Sequence, residues 1–268
     1  MSAIVAAIQM NSGLKVADNL KQAALFIQQA VEQGAKLIVL PEMFPILGLA
    51  DTDKITVCEQ LGSGPIQDFL AQQASQHKIW LIGGTIPLAT TNPQKIRAAC
   101  LVYNDDGHVV ARYDKMHLFD VQVGEKNYCE SNITEPGTEA VVVTTPFGRI
   151  GLMVCFDIRF TMLTHDLVSK GAEIIAIPTA FTAITGAAHW DILTKATAIL
   201  SQCYVIAACQ TGTHANGRQT YGHSVIIDPW GKMLQQLPTE VGAISAAIDL
   251  SYLQTVRNNI PLRPNSFL

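Results

Sequence analysis

The chain has 268 residues, of which 49% are hydrophobic and only 15% are charged, and its formal net charge is −4 at pH 7. A chain of this length can bury a sizeable core, and we expect a single domain over residues 1–268. The composition excludes a disordered chain, and the absence of a basic patch argues against nucleic acid as a partner.

The amino-terminal sequence and the cysteine content favour a cytoplasmic protein. Residues 1–9 lack the positive segment of a secretory signal, and no uncharged apolar run reaches the roughly 18–20 residues that cross a bilayer, so we expect no membrane association. Without an export signal, the six cysteines indicate free thiols. No Cys-x-x-Cys spacing or histidine cluster suggests zinc, and we expect neither a metal nor another cofactor.

Short apolar strands alternate with amphipathic helices along the chain. Residues 4–9 predict a strand, and apolar positions at three- and four-residue spacing predict a helix from Asp18 to a stop at Gly34. In chain order, the further predictions are a strand at 36–40, a helix at 66–77, strands at 79–83, 98–104, 109–114, 141–144 and 149–154, a helix at 161–170, a strand at 173–178, a helix at 189–202, and strands at 204–208, 224–227 and 244–248. Glycine turns at 105–107 and 146–148 predict hairpins. Two β-rich halves with helices between them predict a layered α/β sandwich.

Three chemically useful side chains directly follow predicted strands: Glu42, Lys115 and Cys155. Layered α/β proteins build their sites at such positions. Individually, these residues are typical of a solvated loop carboxylate, a surface lysine and a small buried hydrophobe. Together they supply a nucleophile, a proton-transferring carboxylate and a cation for an oxyanion. The combination predicts amide hydrolysis by a thiol, without histidine or metal.

The sequence around these residues resembles the three catalytic blocks of the nitrilase, or carbon–nitrogen hydrolase, superfamily. The blocks are Pro41-Glu42, residues 113–119 (YDKMHLF) and residues 154–160 (VCFDIRF), in the family order Glu, Lys, Cys. The resemblance implies a four-layer α-β-β-α sandwich, a thioester acyl-enzyme on Cys155 and a homodimer. It also implies that the site binds a small-molecule amide as its substrate.

The family commonly carries a second glutamate between the lysine and cysteine blocks. The run Cys129-Glu130-Ser131-Asn132 resembles the segment that holds it in the Nit branch, which implies that Glu130 positions Lys115. Glu125 is the nearest competitor for this role. In this segment the chain is one residue shorter than the family pattern, and it lacks the proline that is usual in that pattern.

Other runs resemble the Nit branch and imply a substrate. Residues 180–190 resemble a loop over the substrate pocket, and residues 221–224 (YGHS) continue the match. The resemblance implies hydrolysis of deaminated glutathione to 2-oxoglutarate and cysteinylglycine, with 2-oxoglutaramate or another short-chain amide as the alternative. A binding protein that kept the fold but lost activity is the alternative of another class. The implied substrate contacts are Phe156, Phe181, Thr182, His189 and Tyr221.

Some details of the substrate pocket stay open at this point. Arg159 either meets the substrate carboxylate or braces the loop through Asp157, and His189 either meets substrate or caps the helix that it starts. Thr161-Met162 stands where the family usually has Pro-Glu, and Ala187 where relatives often have proline. These departures affect fine specificity rather than the reaction type.

Overall fold

A computed structural model describes residues 2–262 of the chain, so Met1 and residues 263–268 of the expected domain lie outside the described residues. In chain order the elements are β1 (Ser2–Gln9), α1 (Val16–Glu32), β2 (Leu37–Val39), α2 (Asp53–Thr56), α3 (Pro65–His77), β3 (Trp80–Ile82), β4 (Ile86–Ala89), β5 (Ile96–Tyr103), β6 (Val109–Asp114), β7 (Asp120–Val123), β8 (Lys126–Cys129), β9 (Val142–Thr145), β10 (Gly148–Leu152), α4 (Thr161–Ser169), β11 (Ile174–Thr179), α5 (Ala183–Ser201), β12 (Tyr204–Cys209), β13 (Thr211–Thr213), β14 (Gln219–Tyr221), β15 (Ser224–Ile227), β16 (Met233–Leu237), β17 (Gly242–Asp249) and α6 (Leu250–Asn259). Short 3-10 turns lie at Glu130–Asn132 and Cys155–Arg159.

Two large sheets form the centre of the molecule. The first has the order β17-β1-β2-β3-β5-β4, with β6 also paired with β5, and the second has the order β16-β15-β12-β11-β10-β9. In the first sheet β1, β2 and β3 run parallel, and in the second β10, β11 and β12 do. Glu42 and Cys155 lie just beyond the carboxyl ends of two of these parallel strands, β2 and β10, whereas Lys115 follows β6, which pairs antiparallel with β5.

Strand β1 shows why the sheets are covered on both faces. Successive side chains of a strand point to opposite faces. Val5 and Ala7 belong to the apolar cluster shared with the second sheet, whereas Ala6 and Ile8 belong to the cluster shared with α1 and α3. Helices α4 and α5 cover the outer side of the second sheet. The layers therefore follow the order helix, sheet, sheet, helix, which confirms the predicted α-β-β-α sandwich.

Most predicted strands and both predicted hairpins are confirmed, but the helix predicted at 189–202 begins earlier. Helix α5 starts at Ala183, because the Thr182 side chain accepts a hydrogen bond from the Thr185 N–H and caps its first turn. The stretch that was expected to be a loop up to residue 190 is therefore largely helical. His189 lies inside the helix and does not start it.

Helix α6 and the β7–β8 hairpin were not predicted. The Asp249 side chain caps α6 by accepting a hydrogen bond from the Ser251 N–H. Strands β7 (DVQV) and β8 (KNYC) have only four residues each and no fully buried position, so they are too short to be identified by their pattern. No helix within residues 2–262 is both long and apolar enough to span a membrane.

Candidate active site

Glu42 lies three residues after the last residue of β2 and is only 3% exposed. The backbone on either side is fixed by side chains from other elements. The Met43 N–H donates to the Thr85 hydroxyl at 2.8 Å, and the Glu42 carbonyl accepts from the Gln210 amide at 3.0 Å. Met43 has a φ of 56°, which turns the chain sharply away from the strand. The carboxylate is thus held beyond the carboxyl end of β2, a central strand of the first sheet.

Lys115 follows β6 and is 2% exposed, which is unusual for a lysine. The Lys115 backbone N–H donates to the Ala98 carbonyl at 3.0 Å, and the Lys115 backbone carbonyl accepts from the Gly137 N–H at 2.8 Å. A side chain at Gly137 would collide with the Asp114 carbonyl, so the glycine permits this close approach. The Lys115 ammonium donates to Glu42 Oε1 at 2.8 Å.

Glu130 supplies the second carboxylate to Lys115. It begins the 3-10 turn after β8, and its Oε2 accepts from Lys115 Nζ at 2.8 Å and from the Phe119 N–H at 2.7 Å. Glu125 lies exposed between β7 and β8. The structure therefore brings Glu130, and not Glu125, to the lysine.

The charges in this cluster stabilise one another. Burial by itself would lower the pKa of Lys115, but the Glu130 and Glu42 carboxylates outweigh it and raise this pKa above its usual value. Burial would raise the pKa of Glu130, but the Lys115 ammonium and the hydrogen bonds to Glu130 lower it. Lys115 is therefore an ammonium and Glu130 a carboxylate at neutral pH, in accordance with the cost of an unpaired buried charge.

Cys155 lies at the tip of a constrained turn after β10. Its φ is 48°, a value that residues other than glycine rarely adopt, and it is 5% exposed. The turn is held from within by Asp157, whose carboxylate accepts from the Val154 N–H at 2.8 Å. Asp157 also accepts from the Tyr113 hydroxyl at 2.6 Å and from the His117 N–H at 3.0 Å. One buried carboxylate thus ties the cysteine turn to the segment that carries Lys115.

The Cys155 sulfur is a thiol in the resting protein. Burial and the nearby Glu42 carboxylate raise the pKa of Cys155 to about 12, although the Lys115 ammonium acts in the opposite direction. A thiol becomes a good nucleophile only as it loses its proton, so a base must act during the attack. Glu42 is the adjacent carboxylate that can accept this proton.

The four residues line one cavity. Its wall is formed by Glu42, Met43, Asp51, Lys54, Lys115, Phe119, Tyr128, Cys129, Glu130, Ile133, Cys155, Phe156, Ala180, Phe181, Thr182, Thr185 and Arg218. The predicted contacts Phe156, Phe181 and Thr182 are among them. Within residues 2–262, no group of three or more His, Cys, Asp or Glu side chains is arranged to hold a metal ion.

His189 and Tyr221 are not on this wall. The Tyr221 ring stacks on the His223 ring at 3.9 Å, and the exposed His189 has its Nδ1 3.1 Å from an Arg159 nitrogen. The Arg159 guanidinium lies 5.4 Å from the centre of the Phe181 ring. In the described part of the chain, Arg159 forms no ion pair with Asp157, so the alternative in which it braces the loop through Asp157 is wrong.

The wall also contains residues that sequence reasoning missed. Asp51 and Arg218 lie on loops, Lys54 on the single-turn helix α2 and Tyr128 on the short strand β8. Arg218 precedes the YGHS run by only three positions, which is the nearest signal in the sequence. The strand that carries Tyr128 has only four residues, KNYC, which do not alternate between polar and apolar side chains.

Comparisons with known proteins give a consistent assignment. Residues 4–258 match the family model described as carbon-nitrogen hydrolase. Deaminated glutathione amidase from Yersinia enterocolitica is 38% identical over 271 residues, covering 100% of this chain and 94% of that protein. The protein of the same name from Homo sapiens is 39% identical over 264 residues, covering 97% of this chain and 80% of that protein.

Solved structures agree with the sequence comparisons. The C. elegans NitFhit protein superposes with a TM-score of 0.90 at 37% identity, and the match covers 97% of this chain but 64% of that one. Saccharomyces cerevisiae Nit3, a member of branch 10 of the nitrilase superfamily, superposes with a TM-score of 0.89 at 30% identity and covers 100% and 97% of the two chains.

Proposed function

Because the chain belongs to the carbon–nitrogen hydrolase family, we propose that it hydrolyses deaminated glutathione to 2-oxoglutarate and cysteinylglycine. The chain is a hydrolase of carbon–nitrogen bonds in amides other than peptide bonds. The identity of 37–40% to several proteins named deaminated glutathione amidase supports this substrate. The observation that carries the chemistry is the buried cluster of Glu42, Lys115 and Glu130 beside the Cys155 thiol.

In the first half of the proposed reaction, Cys155 Sγ bonds to the carbonyl carbon of the γ-amide while Glu42 takes the thiol proton. The carbonyl oxygen becomes an oxyanion, which the Lys115 ammonium stabilises. Glu42 then gives its proton to the amide nitrogen, and the carbon–nitrogen bond breaks. The amine leaves, and the acyl group remains on Cys155 as a thioester.

In the second half, water takes the place of the departed amine. Glu42 accepts a proton from the water as its oxygen bonds to the thioester carbon, and Lys115 again stabilises the oxyanion. The carbon–sulfur bond breaks, the acid is released, and the proton returns from Glu42 to the sulfur. In this proposal Glu130 does not react, but fixes Lys115 beside Glu42 throughout.

The substrate assay is direct. Purified protein is incubated separately with deaminated glutathione and with 2-oxoglutaramate, and released 2-oxoglutarate is measured. We expect a higher kcat/KM for deaminated glutathione. A higher value for 2-oxoglutaramate would replace the proposed substrate, and release from neither would exclude both.

We also infer that the protein forms a homodimer and consists of one domain. Several large apolar side chains of α5 are exposed, among them Ile192 at 70%, Ile199 at 50% and Leu200 at 66%. Exposed apolar patches of this kind are typical of subunit interfaces. An Ile192→Glu variant should sediment as a monomer where the unmodified protein sediments as a dimer. Equal sedimentation of both would contradict this interface. The cytoplasmic location stays a prediction.

A further inference from the structure

A groove leads from the catalytic cavity to the surface. Lys54, Tyr128 and Arg218 line both spaces, and Lys126 and Asn216 continue the wall of the groove further out. Its outer residues, including Asn216, are exposed. The two spaces therefore share part of their walls, and the catalytic cluster lies in the inner one.

The groove is positively charged in a protein whose net charge is negative. Three cationic side chains line it, Lys54, Lys126 and Arg218, against the single carboxylate of Asp51. Asp51 accepts from Lys54 at 3.3 Å, but its side chain is largely exposed, so this ion pair is weak. The excess charge of the lining favours an anionic ligand.

Arg218 is held by contacts of both its side chain and its backbone. Its guanidinium donates to the Ala180 carbonyl at 2.9 Å and lies 5.5 Å from the centre of the Tyr128 ring. Its backbone N–H donates to the Asn216 side chain at 2.9 Å. The Arg218 Nε is enclosed, and within residues 2–262 it has no acceptor. An unpartnered donor of this kind is unusual in a structural arginine, and a fixed guanidinium matches a carboxylate.

The order of the reaction decides which part of the substrate lies in the groove. The acyl group stays bonded to Cys155 after the first step, whereas the amine must leave before water can attack. The leaving amine therefore belongs on the open side of the cavity. A two-residue leaving group extends about 7 Å at roughly 3.5 Å per residue, which places its terminal carboxylate outside the catalytic cluster.

We propose that this groove is a subsite for the terminal carboxylate of a peptide leaving group, with Arg218 as the principal contact and Lys54 as a second cation. The identity of the peptide rests on the proposed function. The subsite itself requires only that the leaving amine ends in a carboxylate. It would make the enzyme prefer amides of short peptides over primary amides.

The test compares Arg218→Met and Arg218→Lys with the unmodified protein on three amides of one acyl group. These are deaminated glutathione, its analogue with a terminal glycinamide, and 2-oxoglutaramate, which has no peptide. Lys21→Met, on the exposed surface of α1, is the matched control. Two further substrates carry a glutaryl group in place of the 2-oxoglutaryl group, one with the terminal carboxylate and one with the terminal glycinamide. They measure the subsite independently of the acyl group.

For Arg218→Met, we expect kcat/KM to fall about tenfold to a hundredfold on deaminated glutathione, chiefly through KM, because a charge-assisted hydrogen bond is lost. Activity on 2-oxoglutaramate should stay within about twofold, and Arg218→Lys should recover part of the loss. The unmodified protein should prefer acid over glycinamide, and Arg218→Met should have no such preference.

Equal losses on all three substrates would overturn the proposal, because Arg218 would then act on the acyl group or through Ala180. An absent acid preference in the unmodified protein would also overturn it. If only glutaryl amides are hydrolysed, the proposed substrate fails. The subsite proposal then holds if the protein prefers the glutaryl amide with a terminal carboxylate over the one with a terminal glycinamide, and if Arg218→Met loses this preference. Any other result on the glutaryl amides contradicts the subsite.

Discussion

The catalytic cluster, Glu42, Lys115, Glu130 and Cys155, is held from several directions, whereas the rim of the same cavity, formed by Lys54, Tyr128 and Arg218, is held unevenly. Lys115 donates to two carboxylates at 2.8 Å each, and its backbone is hydrogen-bonded on both sides. At the rim, Lys54 has one partner at 3.3 Å, and that partner is largely exposed. The catalytic side chains therefore lie on hydrogen-bonded turns that follow strands, and we expect the choice of substrate to depend on the rim.

The largest effect should come from removing the nucleophile. Cys155→Ala should lower kcat at least about 10⁴-fold, because a covalent pathway has no substitute for its attacking atom. Intact-protein mass spectrometry of the unmodified enzyme with a slow substrate should show an acyl adduct on Cys155, and the variant should show none. Circular dichroism should be unchanged. Cys58→Ala, which alters a free cysteine outside the cavity, should be fully active. An adduct on another cysteine would refute the assignment.

Glu42→Gln should reduce turnover by about 10²- to 10⁴-fold, the usual contribution of a positioned proton-transfer group. The amide oxygen can still accept from Lys115, so the loss isolates proton transfer from the ion pair. Burial still raises the pKa of Cys155 when the Glu42 charge is absent, so the thiol should fail to acylate at neutral pH in a single-turnover experiment. Glu32→Gln, on the exposed face of α1, is the control and should behave like the unmodified protein. Normal acylation of Glu42→Gln would show that another group takes the thiol proton.

Glu130→Gln should have a smaller effect and a distinctive pH dependence. The Glu130 carboxylate raises the pKa of Lys115, so removing its charge lowers that pKa. The ammonium should therefore be lost at a lower pH, and the alkaline limb of kcat/KM should move down the pH scale. At neutral pH we expect a loss of about tenfold to a hundredfold.

Glu125→Gln is the matched control for the second glutamate, since Glu125 lies exposed near the same hairpin. Its pH profile should coincide with that of the unmodified protein. A shift caused by Glu125→Gln and not by Glu130→Gln would reverse the assignment of the two residues.

The contrast between the catalytic cluster and the rim also explains which site residues could be predicted from the sequence. Glu42 and Cys155 each follow an apolar strand whose sequence also locates its end, and Lys115 follows the second strand of a hairpin that the glycine turn at 105–107 identifies. Tyr128 and Arg218 depend on how short, partly exposed strands dock against the main sheets, which is a tertiary effect that no local pattern records. The start of α5 was misplaced because a single capping bond at Thr182 decides it.

The smallest predicted effect concerns the rim. Tyr128 presents its ring to the Arg218 guanidinium at 5.5 Å, a contact that contributes about 0.5–1 kcal/mol at a partly exposed site. Tyr128→Leu keeps an apolar side chain but removes the aromatic ring that orients the Arg218 guanidinium. KM for deaminated glutathione should therefore rise about two- to fivefold, with kcat nearly constant. Steady-state kinetics on Tyr128→Leu, Arg218→Met and the double variant form a mutant cycle. Because the tyrosine acts through the arginine, its effect should vanish once Arg218 is replaced. Additive effects would mean that Tyr128 contacts the substrate directly, and a fall in kcat would mean that the rim and the catalytic cluster are mechanically coupled.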